Sequence, residues 1–73
     1  MSTDTMTSFI ARIGETAGKV WHYLNEHGPR PLTTLSRELG EPRDLVMLAV
    51  GWLAREDKIR IEEGRRARLV SLK

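Results

Sequence analysis

Three sets of side chains in this 73-residue chain have types and spacings that invite chemistry. His22 and His27 lie five residues apart, whereas two ligands on one helix face need a spacing of four, and no cysteine stands beside them. They read as solvent-facing or half-buried helix histidines, not as a metal or general-base site. Gly14-x-x-x-Gly18 lacks the preceding strand and the Lys-Ser or Lys-Thr pair of a phosphate loop, so these glycines are expected at close-packing or helix-start positions. Nothing pairs a nucleophile with a base, and so short a chain has little room for a cleft. No catalytic residue, metal or cofactor is expected. The third set is cationic: Arg65, Arg66 and Arg68 surround a glycine-containing turn, where guanidinium groups can reach phosphates or a narrow minor groove. Arg43 and Lys58 are expected to add phosphate contacts.

The charge distribution agrees with that placement. Up to Asp57 six basic residues face eight acidic ones, whereas from Lys58 onward six face two, a net charge of +4 in the last fifth of the chain. No aromatic residue interleaves with these arginines, so stacking on single strands is poorly supported and duplex DNA is the expected nucleic acid. A solvated charged hairpin that keeps a sheet edge soluble explains the same residues equally well.

The elements that must position these groups follow from periodicity. Residues 1–8 lack an apolar pattern and read as a disordered tail, leaving 9–73 as the domain. Ile10, Ile13, Ala17, Val20, Trp21 and Leu24 share one helical face, with Thr16 a candidate cap for the regular part. His27-Gly28-Pro29 ends that helix. Arg30-Pro31-Leu32 suits a short edge strand. Thr33 or Thr34 then caps a two-turn helix from Leu35 to Leu39 that stops at Gly40. Pro42, expected at the first helical position, and Asp44 open a third helix reaching about Glu56. From Lys58 the period becomes two: Ile59 and Ile61 alternate with polar residues, Glu63 to Arg66 turn, and Ala67 to Leu72 return, a terminal β-hairpin. One core is expected to join Trp21, Val46, Val50, Leu53 and Ile59.

The third helix constrains function most. Val46, Ala49, Val50 and Leu53 form its core face, and the opposite face carries Asp44, Met47, Leu48, Gly51 and Arg55. A groove-reading helix presents Arg, Lys, Asn, Gln, Ser or Thr to base edges, and this face offers a single arginine at its far end. Leu45, Leu48 and Trp52 extend the apolar surface along one flank. Trp52 reads first as a core residue closing the gap between this helix and the wing. Gly51 points to a close approach by another helix or backbone, within the chain or beyond it. These residues therefore support an alternative: a protein-interaction module or homodimer that uses Met47, Leu48, Gly51, Trp52 and Arg55, with little affinity for DNA.

Composition bounds the rest. With 40% hydrophobic and 30% charged residues the chain is globular, and at 8.3 kDa it holds one domain. The absence of cysteine excludes a disulfide framework. No apolar run can span a bilayer, the first eight residues lack the features of a signal or import peptide, and the default location is the cytoplasm. No small-molecule substrate is evident.

Two motifs sharpen the picture, Ala17-Gly18-Lys19-Val20-Trp21 and Gly51-Trp52-Leu53-Ala54-Arg55-Glu56-Asp57-Lys58-Ile59. They resemble signatures of a small stand-alone prokaryotic winged helix-turn-helix family, catalogued as a domain of unknown function, over roughly residues 13 to 72. The resemblance implies a mainly α fold of three helices plus a β-hairpin wing, and a nucleic-acid-binding role. It carries over no catalytic residue. The expectation is a non-enzymatic DNA-binding or transcription-associated module.

Overall fold

The computed structural model describes residues 2–73, with side-chain surroundings from Ser8 onward. Its elements are α1 (Ser2–His27), β1 (Arg30–Pro31), a 3-10 turn (Leu32–Thr34), α2 (Leu35–Leu39), α3 (Arg43–Arg55), β2 (Ile59–Glu63) and β3 (Arg68–Leu72). The expected fold class, three helices and a small hairpin, is observed. β1 adds a third strand, and the antiparallel sheet runs β1-β3-β2.

α1 begins earlier than its apolar pattern predicts. It is helical from Ser2, within the stretch read as a tail, while Met1 lies outside the described residues. It also runs unbroken through Gly14 and Gly18, so Thr16 is no cap; that side chain is buried in the helix interior. Docking of Ala17, Val20 and Leu24 supplies the nucleus that the glycines weaken, and no Gly or Pro between Ser2 and Ile13 stops the helix from propagating backwards. At the other end Gly28 adopts φ +80° and donates its N–H to the Leu24 carbonyl at 2.8 Å.

The chain then enters β1, where Arg30 pairs with Val70 and Pro31 with Leu69. Proline has no N–H to offer a ladder and is accommodated because β1 is an edge. Thr34 stands at the cap position of α2, but its side chain accepts no N–H from that helix; its hydroxyl donates to the Pro31 carbonyl at 3.1 Å. Gly40, left-handed at φ +68°, ends α2. Pro42 occupies the cap position of α3, one residue before the expected place, with its carbonyl accepting Val46 N–H at 3.0 Å. After α3, Asp57 takes φ +62° and swings the chain into β2.

Ala17, Val20 and Leu24 of α1 and Leu35 of α2 meet Val46, Ala49, Val50 and Leu53 of α3, and Ile59 and Val70 close the core from the sheet. Full burial of each Leu, Val or Ile contributes about 1.5–3 kcal/mol. Trp21, expected inside, packs against this cluster half-buried. Polar contacts pin the helices at the rim. Lys19 Nζ donates to Glu41 at 2.6 Å, Tyr23 Oη donates to Glu38 at 2.6 Å, and Arg30 Nε lies 3.6 Å from the same Glu38 carboxylate. The Tyr23 hydrogen bond, helped by the Thr34 hydroxyl and then by the charges of Arg30 and Arg37, holds the Glu38 carboxyl below its ordinary range. The same bond pushes the Tyr23 phenol up, and the Glu41 contact raises the Lys19 ammonium.

Candidate nucleic-acid interface

The wing tip is built by a constraint at Gly64. Its N–H donates to the Ala67 carbonyl at 2.9 Å, and a Cβ at this position would stand 3.0 Å from that oxygen, so glycine keeps the turn tight. Arg65 and Arg66 sit at the apex, exposed. Among the described residues neither has an acidic partner within ion-pairing distance. Arg68 lies across the hairpin from Glu63, with Nε 3.8 Å from the carboxylate and both side chains largely in solvent. An exposed pair of this kind is weak and releases its arginine readily.

The structure does not bring all five expected phosphate contacts together. Lys58 precedes β2 at the base of the hairpin, 3.6 Å from Glu56, and five strand residues, roughly 17 Å of chain, separate it from the tip. Arg43 opens α3 whereas Lys58 follows its end, so the length of a 13-residue helix, roughly 20 Å, lies between them. The tip arginines form one cationic group; Arg43, exposed, and Lys58 are separate points.

On α3, Met47 is half-buried against the core instead of facing solvent, and Leu45 is fully buried. Leu48 and Trp52 are 47% and 41% exposed, and Gly51 and Arg55 are exposed beside them. Trp52 is therefore not the core residue expected. The gap it was expected to fill is closed by Leu53 and Ile59, and its ring instead forms one wall of a groove of about 620 Å³ between α1 and α3. Gly14, Gly18 and Trp21 form the α1 wall, and the Lys73–Asp57 ion pair lies at one end. The sequence signals for this groove were the two glycines one helical turn apart and the adjoining tryptophan. Close packing against another element does not explain them, because a Cβ at Gly14, Gly18 or Gly51 would meet nothing within 4 Å beyond the backbone of its own helix.

Three helices followed by a wing, with short β1 completing the sheet, define a winged helix-turn-helix domain. Residues 6–72 match the family model described as a winged helix-turn-helix domain, DUF2582, and the chain belongs to that family. It is 39% identical over 71 residues to the uncharacterized protein MJ1608 of the archaeon Methanocaldococcus jannaschii, covering 93% of this chain and all of that one. The solution NMR structure of protein BT2368 from Bacteroides thetaiotaomicron superposes with a TM-score of 0.75 at 39% identity, covering 85% of this chain and 76% of that one. The Zalpha domain from Carassius auratus PKZ, in a crystal structure with Z-DNA, gives a TM-score of 0.73 at 16% identity, over 84% of this chain and 97% of that domain, a likeness of fold alone. No helix among the described residues is long and apolar enough to cross a membrane.

Proposed function

We propose that this winged-helix domain is a non-enzymatic module that holds duplex DNA by its phosphates, with Arg65, Arg66 and Arg68 of the wing as the main contacts and Arg43 and Lys58 as outlying ones. The observation that carries this reading is the pair of apical arginines, exposed and without acidic partners among the described residues. A winged helix of similar shape that binds Z-DNA supports a nucleic-acid role for the fold without assigning contacts. The outward face of α3 offers Leu48, Gly51 and Trp52 where base-reading groups would stand, so binding is mainly indifferent to sequence. Transcription-associated work in the cytoplasm fits such a module.

The test is anisotropy of labelled duplex DNA titrated at several salt concentrations. Each phosphate contact contributes about −0.9 to the slope of log affinity against log salt. Replacing Arg65, Arg66 and Arg68 with Ala should flatten the slope by roughly two to three units while the circular dichroism spectrum stays unchanged. A wild-type protein without salt-dependent affinity, or a triple variant with an unaltered slope, refutes the reading. A second reading, binding of a protein partner by Leu48, Gly51, Trp52 and Arg55, is favoured by the exposure of Leu48 beside Trp52. Loss of a copurifying or self-associated species in Leu48→Glu, with DNA affinity negligible, would select it.

A further inference from the structure

The wing tip has a neighbour from the other end of the fold. Arg30 pairs with Val70 and Pro31 with Leu69, and the next residues, Leu32 and Thr33, leave the sheet in the 3-10 turn just where the hairpin nears its apex. Between turn and apex lies a cleft of about 240 Å³, walled by Leu32 and Thr33 on one side and by residues 63, 64 and 66–68 on the other. Arg65 does not line it. The cleft is smaller than the roughly 300–1,000 Å³ that encloses a whole small molecule, so it suits one group projecting from a larger ligand. Its charges set the sign of that group: Arg66 and Arg68 against Glu63 leave a net of +1. Glu63 opposes an anion, but its side chain is 79% exposed and 3.8 Å from Arg68 Nε, a pair weak enough for the carboxylate to turn to water.

We propose that this cleft seats one phosphate of the duplex backbone, held by Arg66 and Arg68 from the wing and by the Thr33 hydroxyl from the 3-10 turn. The inference rests on the DNA-binding reading above and divides its three principal arginines into two kinds. Arg66 and Arg68 share a phosphate with a fixed partner, and their forked guanidinium groups match its oxygens. Arg65, outside the cleft, adds positive charge alone. Thr33 is the member that charge counting cannot find, because it is neutral. Its neighbour Thr34 turns its hydroxyl to the Pro31 carbonyl, whereas Thr33 is exposed on the cleft wall. A hairpin alone would attract phosphates without orienting them. Two walls drawn from residues 32–33 and 66–68 bind one phosphate to both the helical body and the wing, which fixes how the domain sits on the duplex.

A double-mutant cycle on the full chain tests it, read by anisotropy of labelled duplex DNA across salt concentrations. Thr33→Val should weaken binding about three- to tenfold, the loss of one hydrogen bond, and Thr33→Ser should restore it. The salt slope should not change in Thr33→Val, because a hydroxyl releases no counterion, whereas Arg66→Ala should flatten it by about 0.9. Thr33→Val and Arg66→Ala should be coupled, their joint effect differing from the product of the single effects by at least about threefold. Thr33→Val and Arg65→Ala should combine to within about a factor of two. Unchanged thermal midpoints establish that the variants fold, as the exposure of Thr33 leads one to expect. A wild type without salt-dependent affinity overturns the DNA-binding reading and this inference with it. A wild type whose salt slope is flattened by the triple arginine variant, but whose affinity is indifferent to Thr33→Val, overturns the inference alone. So does a Thr33 effect that couples equally to Arg65 and Arg66.

Discussion

Glu38 is the residue on which three elements lean. Its carboxylate accepts the Tyr23 hydroxyl of α1 at 2.6 Å and faces Arg30 of β1 at 3.6 Å, so a single side chain of α2 ties the first helix to the sheet edge. Because these contacts favour the charged form, the Glu38 carboxyl titrates lower in the folded chain than its ordinary value of 4.5. The unfolded chain therefore binds the proton first, and the stability this group contributes is present above pH 4.5 and is lost as pH falls through the folded value. Tyr23 acts in the opposite sense: its raised phenol keeps its proton longer in the fold, so its contribution is lost as pH rises above about 10. Urea midpoints measured across acid pH should fall less steeply for Glu38→Gln than for the wild type, and across alkaline pH less steeply for Tyr23→Phe. Parallel curves for variant and parent would show that the cluster carries no linked protons.

The helices illustrate how glycine can be required, neutral or costly according to its place. Gly40 ends α2 at φ +68°, and Gly40→Ala should destabilise the domain by about 1–2 kcal/mol through left-handed strain. Gly51 lies inside α3 with open space where a Cβ would project, so Gly51→Ala should stabilise it by about 0.5–1 kcal/mol in urea denaturation. The stops at Gly28 and Gly40, the turn at Gly64 and the strand through Ile59 and Ile61 were legible in the sequence, because each reports a local backbone preference, although only Ile59 reaches the core and Ile61 is 40% exposed. What was illegible depends on surroundings. The start of α1 depends on helix propagation from a docked half, and propensity alone placed it near Phe9 or Thr16. The exposure of Trp52 depends on whether Leu53 and Ile59 fill the space beneath it, which periodicity does not specify. At the candidate site, composition located the arginines of the wing, whereas the distance of Lys58 from them follows from a strand's length and direction.

The molecule as a whole has one core and no second structure to fall back on. A 73-residue domain has a stability of roughly 4–11 kcal/mol, and Leu53→Ala, at the centre where α3 meets α1 and the sheet, should remove about 2–5 kcal/mol of it. Urea transitions followed by far-ultraviolet circular dichroism and by tryptophan fluorescence should remain coincident in that variant, as one cooperative unit requires. The strand order has a further consequence, for the order of events during synthesis. β3 lies between β1 and β2, so neither of the earlier strands has a partner until β3 has been made. Arg30 awaits Val70, some forty residues later, a delay of roughly 2–8 seconds at ordinary translation rates. Until then the nascent chain can assemble helices and no sheet, and a ribosome that stalls before Arg68 leaves Ile59 and Ile61 as an unpaired apolar strand for chaperones or proteases to find.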